Sequence, residues 1–293
     1  MLCAIRFLSE PFSPQYMQRA LVIALILAVV AGVVGVVVQL RELSFMTDAL
    51  THTVFPGIAI AFVAGESLFI GALIAGTLSA VLLTFAARST RIDQDAFMAL
   101  VLASLFSIGV IVVSRNRTYS ADLTSLLFGR ILAVDTQEIA QTAIVAVAAL
   151  AILAAMRKEL LLRSFDEAGA EAMGYRVLRI DLVVNIVVAL VVVAAVRAVG
   201  TALVVALLIT PAATARLVCT RLNHLLVTSV LVGAAAAWLG LVISYDASVH
   251  HGVRLAAGAT IVVVLTALFA LVAATQAIRT SRTRRRSIAE AAA

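Results

Sequence analysis

Two side chains suited to holding a metal ion stand four residues apart inside an apolar stretch of this sequence: Asp48 and His52, in MTDALTHTVFPG. On a helix that spacing puts both on one face. Carboxylate oxygen with imidazole nitrogen suits a first-row divalent ion, the oxygen favouring manganese or iron(II) and the imidazole also suiting zinc. The plainer reading of the same spacing is an acid and an imidazole that bond each other or a neighbouring helix. Pro56 and Gly57 follow one turn later. They can break the helix and free backbone carbonyls beside the pair, an arrangement tolerated at membrane depth only where it is buried or lines a cavity. Two ligands do not close a site. A second copy of the chain, related by a twofold axis, would add a second Asp and a second His.

A further group, Asp246, His250 and His251, lies in SYDASVHHGV. It could gather cations at an outer mouth, but the stretch shows no evident helical frame, and an exposed polar loop explains it as well. Arg197, between two apolar runs, is expected to extend its charge outward to the membrane surface. Other chemistry is missing. Lys158 is the sole lysine and no GxxxxGK[ST] occurs, so the chain cannot bind ATP as a P-loop enzyme does. No HExxH motif is present, and Cys3 and Cys219 form neither a disulfide framework nor a paired-thiol metal motif. The chain reads as a non-enzyme.

The elements that must position these residues follow from composition. Of 293 residues, 63% are apolar and 13% charged, and the mean hydropathy is +1.12. A soluble domain carries charge on about a quarter of its positions. A membrane span needs roughly 20 apolar residues, so the chain has material for about eight or nine spans and none for a catalytic domain. The apolar runs fall at 18–39, 43–64, 67–87, 96–114, 137–156, 178–196, 198–218, 225–244 and 255–277. They must be helices, because an open strand cannot satisfy its backbone in lipid. The predicted fold is all-α and polytopic. Gly200 and Pro211 interrupt the run at 198–218, and an eight-span version would lay Glu10 to Arg19 on the membrane surface.

Arg41, Arg157, Lys158, Arg163, Arg216 and Arg221 come to the inner side if the N-terminus is outside and all nine runs span. That is the arrangement the positive-inside rule favours. The net charge of +6 therefore has a membrane explanation, and nothing in the chain forms a basic nucleic-acid-binding domain. From a helix start near Arg41, a rise of 1.5 Å per residue puts His52 roughly 16 Å deep, near the midplane. Residues 1–278 form the predicted transmembrane domain, and 279–293 a basic inner tail that meets lipid headgroups. The apolar piece Leu123 to Leu132 suggests a short re-entrant or surface helix on the outer side. On the inner side, residues 157–179 mix polar and apolar positions, and Asp166 and Glu167 open a helical segment that ends at Gly174. It is either a plain juxtamembrane helix or a docking element for a cytosolic partner.

Six stretches carry a resemblance: EPFSPQYMQRAL, RELSFMTDALTHTVFPGIAIAF, DLTSLLFGRIL, KELLLRSFDEAGAEAMGY, AVGTALVVALLITPAATARLV and GATIVVVL. From about Glu10 to Ala274 the chain resembles the permease subunits of bacterial ABC importers for manganese, zinc or iron(II), the metal ABC transporter permease type 3 family. The resemblance implies a dimeric permease in the bacterial plasma membrane, a separate cytosolic ATPase that binds the ATP, and an extracytoplasmic metal-binding protein that delivers the ion. It places Asp48 and His52 among the family's metal-coordinating positions. The coupling segment that docks into the ATPase corresponds to Ser164, Phe165, Asp166, Glu167 and Ala168 with Ala172, Met173 and Gly174. The chain departs from the family pattern in VRLAAGATI and in its double His. The function expected is ATP-driven import of a divalent transition metal. An ion-coupled secondary carrier and an ABC permease for a metal chelate are the alternatives.

Overall fold

A computed structural model of the chain describes residues 10–86, 94–114, 129–253 and 255–292. Helices α1 (Gln15–Leu40), α2 (Ser44–Thr53), α3 (Phe55–Ala64), α4 (Leu68–Ala86) and α5 (Gln94–Ser114) form the first part. Then come α6 (Thr136–Ala155), α7 (Arg157–Phe165), α8 (Glu167–Ala172), α9 (Val177–Val199), α10 (Thr201–Val218), α11 (Leu222–His250) and α12 (Ala257–Ala292). Among the described residues, nine helical stretches are long and apolar enough to cross a membrane, α2 and α3 together making one of them.

The expected runs therefore stand, with two refinements. Gly200 does not interrupt a span. Its positive φ of 80° separates α9 from α10, and Pro211 is accommodated inside α10. Gln15 to Arg19 do not form a separate surface segment, because Gln15–Leu40 is one continuous helix, preceded among the described residues by a short 3-10 turn at Glu10–Phe12. Helix α12 continues without a break through residue 292, across the expected boundary at 278. Of the stretch Leu123 to Leu132, residues 123–128 lie outside the described residues; its last two residues open a 3-10 turn, Ile131–Ala133.

Close contact between backbones assembles the bundle. In lipid there is little hydrophobic drive between helices, so small residues that let backbones approach carry the association. Helix α1 is buried along its length and packs on α10 and α11. A Cβ at Gly35 would collide with the Leu208 carbonyl oxygen of α10. On α11, Ser229 donates its hydroxyl to the Gly32 carbonyl at 3.0 Å. The valine-rich α9 is surrounded, with Asn185 donating to Thr84 of α4 at 2.8 Å. Helices α3 and α4 meet at Gly57 and Gly71, each of which occupies the space where the other's Cβ would stand.

At the far end, Arg197, near the end of α9, is held by residues from the starts of α4 and α6. Its guanidinium lies over the Phe69 ring at 5.3 Å, donates to Gln141 at 3.3 Å and stands 3.6 Å from Glu138. Glu138 is also paired with Arg130 at 2.8 Å and closes a capping box with Asp135 at the start of α6. A buried acceptor within reach outcompetes a solvated position for a long cationic side chain.

Gly35→Val should destabilise the detergent-purified protein by about 1–3 kcal/mol, the usual cost of overpacking. Gly233→Ala, whose new Cβ would meet its nearest neighbour at 3.4 Å, should leave the thermal unfolding midpoint nearly unchanged.

Candidate functional site

Asp48 and His52 sit on α2, a helix buried on every side but one. Met46, Thr47, Ala49, Leu50, Thr51 and Thr53 are buried. Phe45, Asp48 and His52 recur at helical spacing and remain open, the Asp48 and His52 side chains being 41% and 31% exposed. His52 Nε2 stands 3.9 Å from Asp48 Oδ1, too far for a hydrogen bond. The two are aligned without being tied to each other, so the hydrogen-bonded alternative is not what forms between them. Phe106 of α5 meets the His52 ring edge-on, with centroids 5.9 Å apart, and also contacts Phe55.

The approach to the pair is shorter than expected. Arg41 to Leu43 form a turn and α2 starts at Ser44, so His52 stands roughly 12 Å along its helix. Beyond it the chain bends at Val54 while keeping helical dihedrals. Pro56 has no N–H to offer the His52 carbonyl four residues back, and the Gly57 N–H turns to the Val54 carbonyl at 3.1 Å. Pro56 thus stands just past the junction of α2 and α3. Gly57 serves chiefly the contact with Gly71. An apolar groove of about 530 Å³ runs from Thr53, Pro56 and Ile60 to Glu66 and Ser67.

The second expected group has a helical frame after all. Asp246 and His250 occupy the last turns of α11, where polar residues end an apolar helix that a hydropathy reading closes too early. His250 Nδ1 lies 3.0 Å and His251 Nε2 3.8 Å from the two Asp246 oxygens. Among the described residues, no group of three or more His, Cys, Asp or Glu side chains is arranged to hold a metal ion.

At the Arg41 end, α7 and α8 form an exposed elbow. Asp166 caps α8 by accepting from the Gly169 N–H at 2.8 Å, and Gly174, at φ 83°, ends the segment where the sequence places its end. Phe165 and Met173 are 76% and 61% exposed. Asp166, Glu167, Ala168, Ala172 and Gly174 are exposed as well, and Ser164 is half-buried with its hydroxyl on the Leu160 carbonyl.

Sequence reasoning missed the strongest polar cluster. Asp181, buried near the start of α9, accepts from Arg41 and from Arg163, the latter at 3.1 and 3.3 Å. Arg163 also reaches Glu167 at 2.9 Å. Burial pulls the Arg41 pKa below its ordinary value, Asp181 opposes that, and Arg163 adds to it. The signal was present. Asp181 and Asn185 are the polar positions of the apolar run VLRIDLVVNIVV, and an acid in a span asks for a partner.

An acid and an imidazole held open in an otherwise closed apolar bundle belong to the class of membrane proteins that pass ions. The family agrees with that class: the chain belongs to the ABC 3 transport family, which it matches over residues 13–276. It is 36% identical to the manganese transport system membrane protein MntC of Listeria monocytogenes over 264 residues, 90% of this chain and 94% of that one. It is 34% identical to the chelated iron transport system membrane protein YfeD of Yersinia pestis, across 91% of this chain and 87% of that one. Among solved structures, PsaBC from Streptococcus pneumoniae in complex with Fab superposes with a TM-score of 0.79 at 35% identity, covering 93% of this chain and 95% of that one. The chain is thus a membrane-embedded ABC permease, and ATP binding and substrate delivery belong to other components.

If the open stripe of α2 faces water, cysteines placed at 48 and 52 in a background without Cys3 and Cys219 should react with a water-soluble thiol reagent. Cysteines at the buried positions 49 and 51 should not. Equal labelling of all four, read by mass spectrometry, would contradict the geometry.

Proposed function

We propose that this chain is the membrane-spanning subunit of an ATP-driven importer of divalent transition metal ions, and that Asp48 and His52 ligate the ion during its passage. The observation that supports this reading best is the open stripe of α2. Its small and apolar residues are buried, while the two side chains able to bind a metal are left unpaired and accessible. Water at that face would solvate them, and a divalent ion would take oxygen from one and nitrogen from the other.

The pair gives two ligands, and a tighter site needs about four. A second copy of the chain, with its α2 facing the first across a twofold axis, supplies the rest. The apolar groove beside the pair supports the same pairing, because a second copy would cover it while keeping the ligands in the seam. On the opposite side, the exposed Phe165 and Met173, with Asp166, Glu167 and Ala168 between them, form the surface for a cytosolic ABC ATPase. An extracytoplasmic metal-binding protein would load the path at the Glu66 end. Manganese, iron(II) and zinc all suit this ligand set, and the named relatives carry manganese and chelated iron.

Cells lacking this chain and its ATPase should regain accumulation of one of these metals when both are restored, measured element by element. Asp48→Ala or His52→Ala should each lower that uptake by about tenfold or more, at least the loss that follows disruption of a ligand's supporting contacts. Uptake at the wild-type rate by both variants would sink the site assignment.

A further inference from the structure

The polar cluster at the Arg41 end joins the docking elbow to the helix that carries Asp48 and His52. Arg163 is on α7, two residues before Phe165, and holds Glu167 of α8 at 2.9 Å. Its Nε and Nη2 grip Asp181 of α9, and the same carboxylate holds Arg41 at the end of α1. Three residues beyond Arg41, α2 begins. One carboxylate thus spans the elbow and the root of the ligand-bearing helix.

Two further features set this joint apart. First, the cluster borders a cavity of about 430 Å³, lined also by Leu43, Met46, Thr84 and Asn185. Two buried atoms among these residues have no partner among the described residues: Arg41 Nη1, a donor, and Asn185 Oδ1, an acceptor. They are complementary. Second, the turn that follows Arg41 is held in a costly shape. Glu42 has φ 56°, the left-handed conformation usually left to glycine, in a turn closed by the Leu43 N–H on the Val38 carbonyl at 2.9 Å. Backbone outliers of this kind persist where the surroundings impose them, and switching segments are one such place.

We propose that Asp181 is a positioning residue that transmits movement of the docking elbow to α2, with Arg41 exchanging between Asp181 alone and Asp181 together with Asn185. When the partner ATPase draws on α7 and α8, Arg163 shifts the Asp181 carboxylate. Arg41 then re-forms its bonds in the cavity, and the Glu42 turn carries the displacement into Ser44–Thr53. Coupling between distant sites requires such an element, with two discrete arrangements that both sites bias.

The inference rests on the reading of the chain as an ATP-driven metal permease. The test uses the complete complex, with its ATPase and metal-binding protein, reconstituted in liposomes, and measures metal imported per ATP hydrolysed. Wild-type complex that hydrolyses ATP and imports no manganese, iron(II) or zinc would sink the underlying reading. With wild-type import established, Asp181→Asn should assemble with the ATPase and hydrolyse ATP, but import per ATP should fall about tenfold or more, within the range of typical coupling energies. Asp181→Glu should recover much of it. Asn185→Asp, which offers a carboxylate to the free Arg41 nitrogen, should keep or raise the thermal stability of the complex and still lower import by a similar factor. Wild-type import per ATP in both Asp181→Asn and Asn185→Asp would overturn the proposal. So would losses that track instability in both variants, since those would mark the cluster as purely structural.

Discussion

In a lipid solvent an apolar side chain gains little by turning inward, because the tails outside are as apolar as the core. What remains to hold helices together is the closeness with which their backbones can meet. The α1–α10 crossing at Gly35, with α11 bonded to the Gly32 carbonyl, fixes α1 in the middle of the bundle. Everything that bears on the site is referred to that fixed helix. Arg41 stands at its end, the Glu42 turn reverses from it, and α2 then runs with one stripe uncovered. A looser packing of the same apolar residues would still be helical. It would not hold two polar side chains at a defined height with neither buried against a neighbour.

Three of the charge groups have different fates. At one end Arg41 and Arg163 share Asp181, and Glu167 takes the remaining arm of Arg163. At the other end Arg130 and Arg197 share Glu138. The first group is balanced internally, while the second has two cations on one carboxylate with Arg130 largely exposed; removing one partner from a buried group commonly costs about 3–5 kcal/mol. The third group, Asp48 and His52, has no cation of its own. Its members are 3.9 Å apart, leaving oxygen and nitrogen lone pairs unused in a region where unused polarity is expensive. That combination sets the pair apart from the two clusters whose charges are matched within the protein.

The sequence made the spans legible because a run of apolar residues and the demand for internal backbone bonding leave only a helix. It made Asp48 and His52 legible because both lie on one element, where spacing alone sets the geometry. Asp181 escaped notice for the opposite reason: its partner Arg41 is 140 residues away, and no local rule connects them. The partners of Arg197 were hidden too, because Glu138 and Phe69 fold in from other helices. The end of α11 was hidden by its own polarity, since Asp246 and His250 are helical without being apolar. Periodicity reports what one segment does alone, and each of these cases turned on what two segments do together.

The reciprocal contact of Gly57 with Gly71 bears on how this path can be redesigned or can drift. At most core positions a larger residue on one side is balanced by a smaller one opposite. Here each added Cβ would strike the facing carbonyl oxygen, and no choice of side chain trims a backbone. The crossing therefore has no compensating partner, and α3 and α4 are inherited as a single rigid wall. Side-chain variation has more room on the uncovered stripe of α2 and at the Phe106 ring that faces His52.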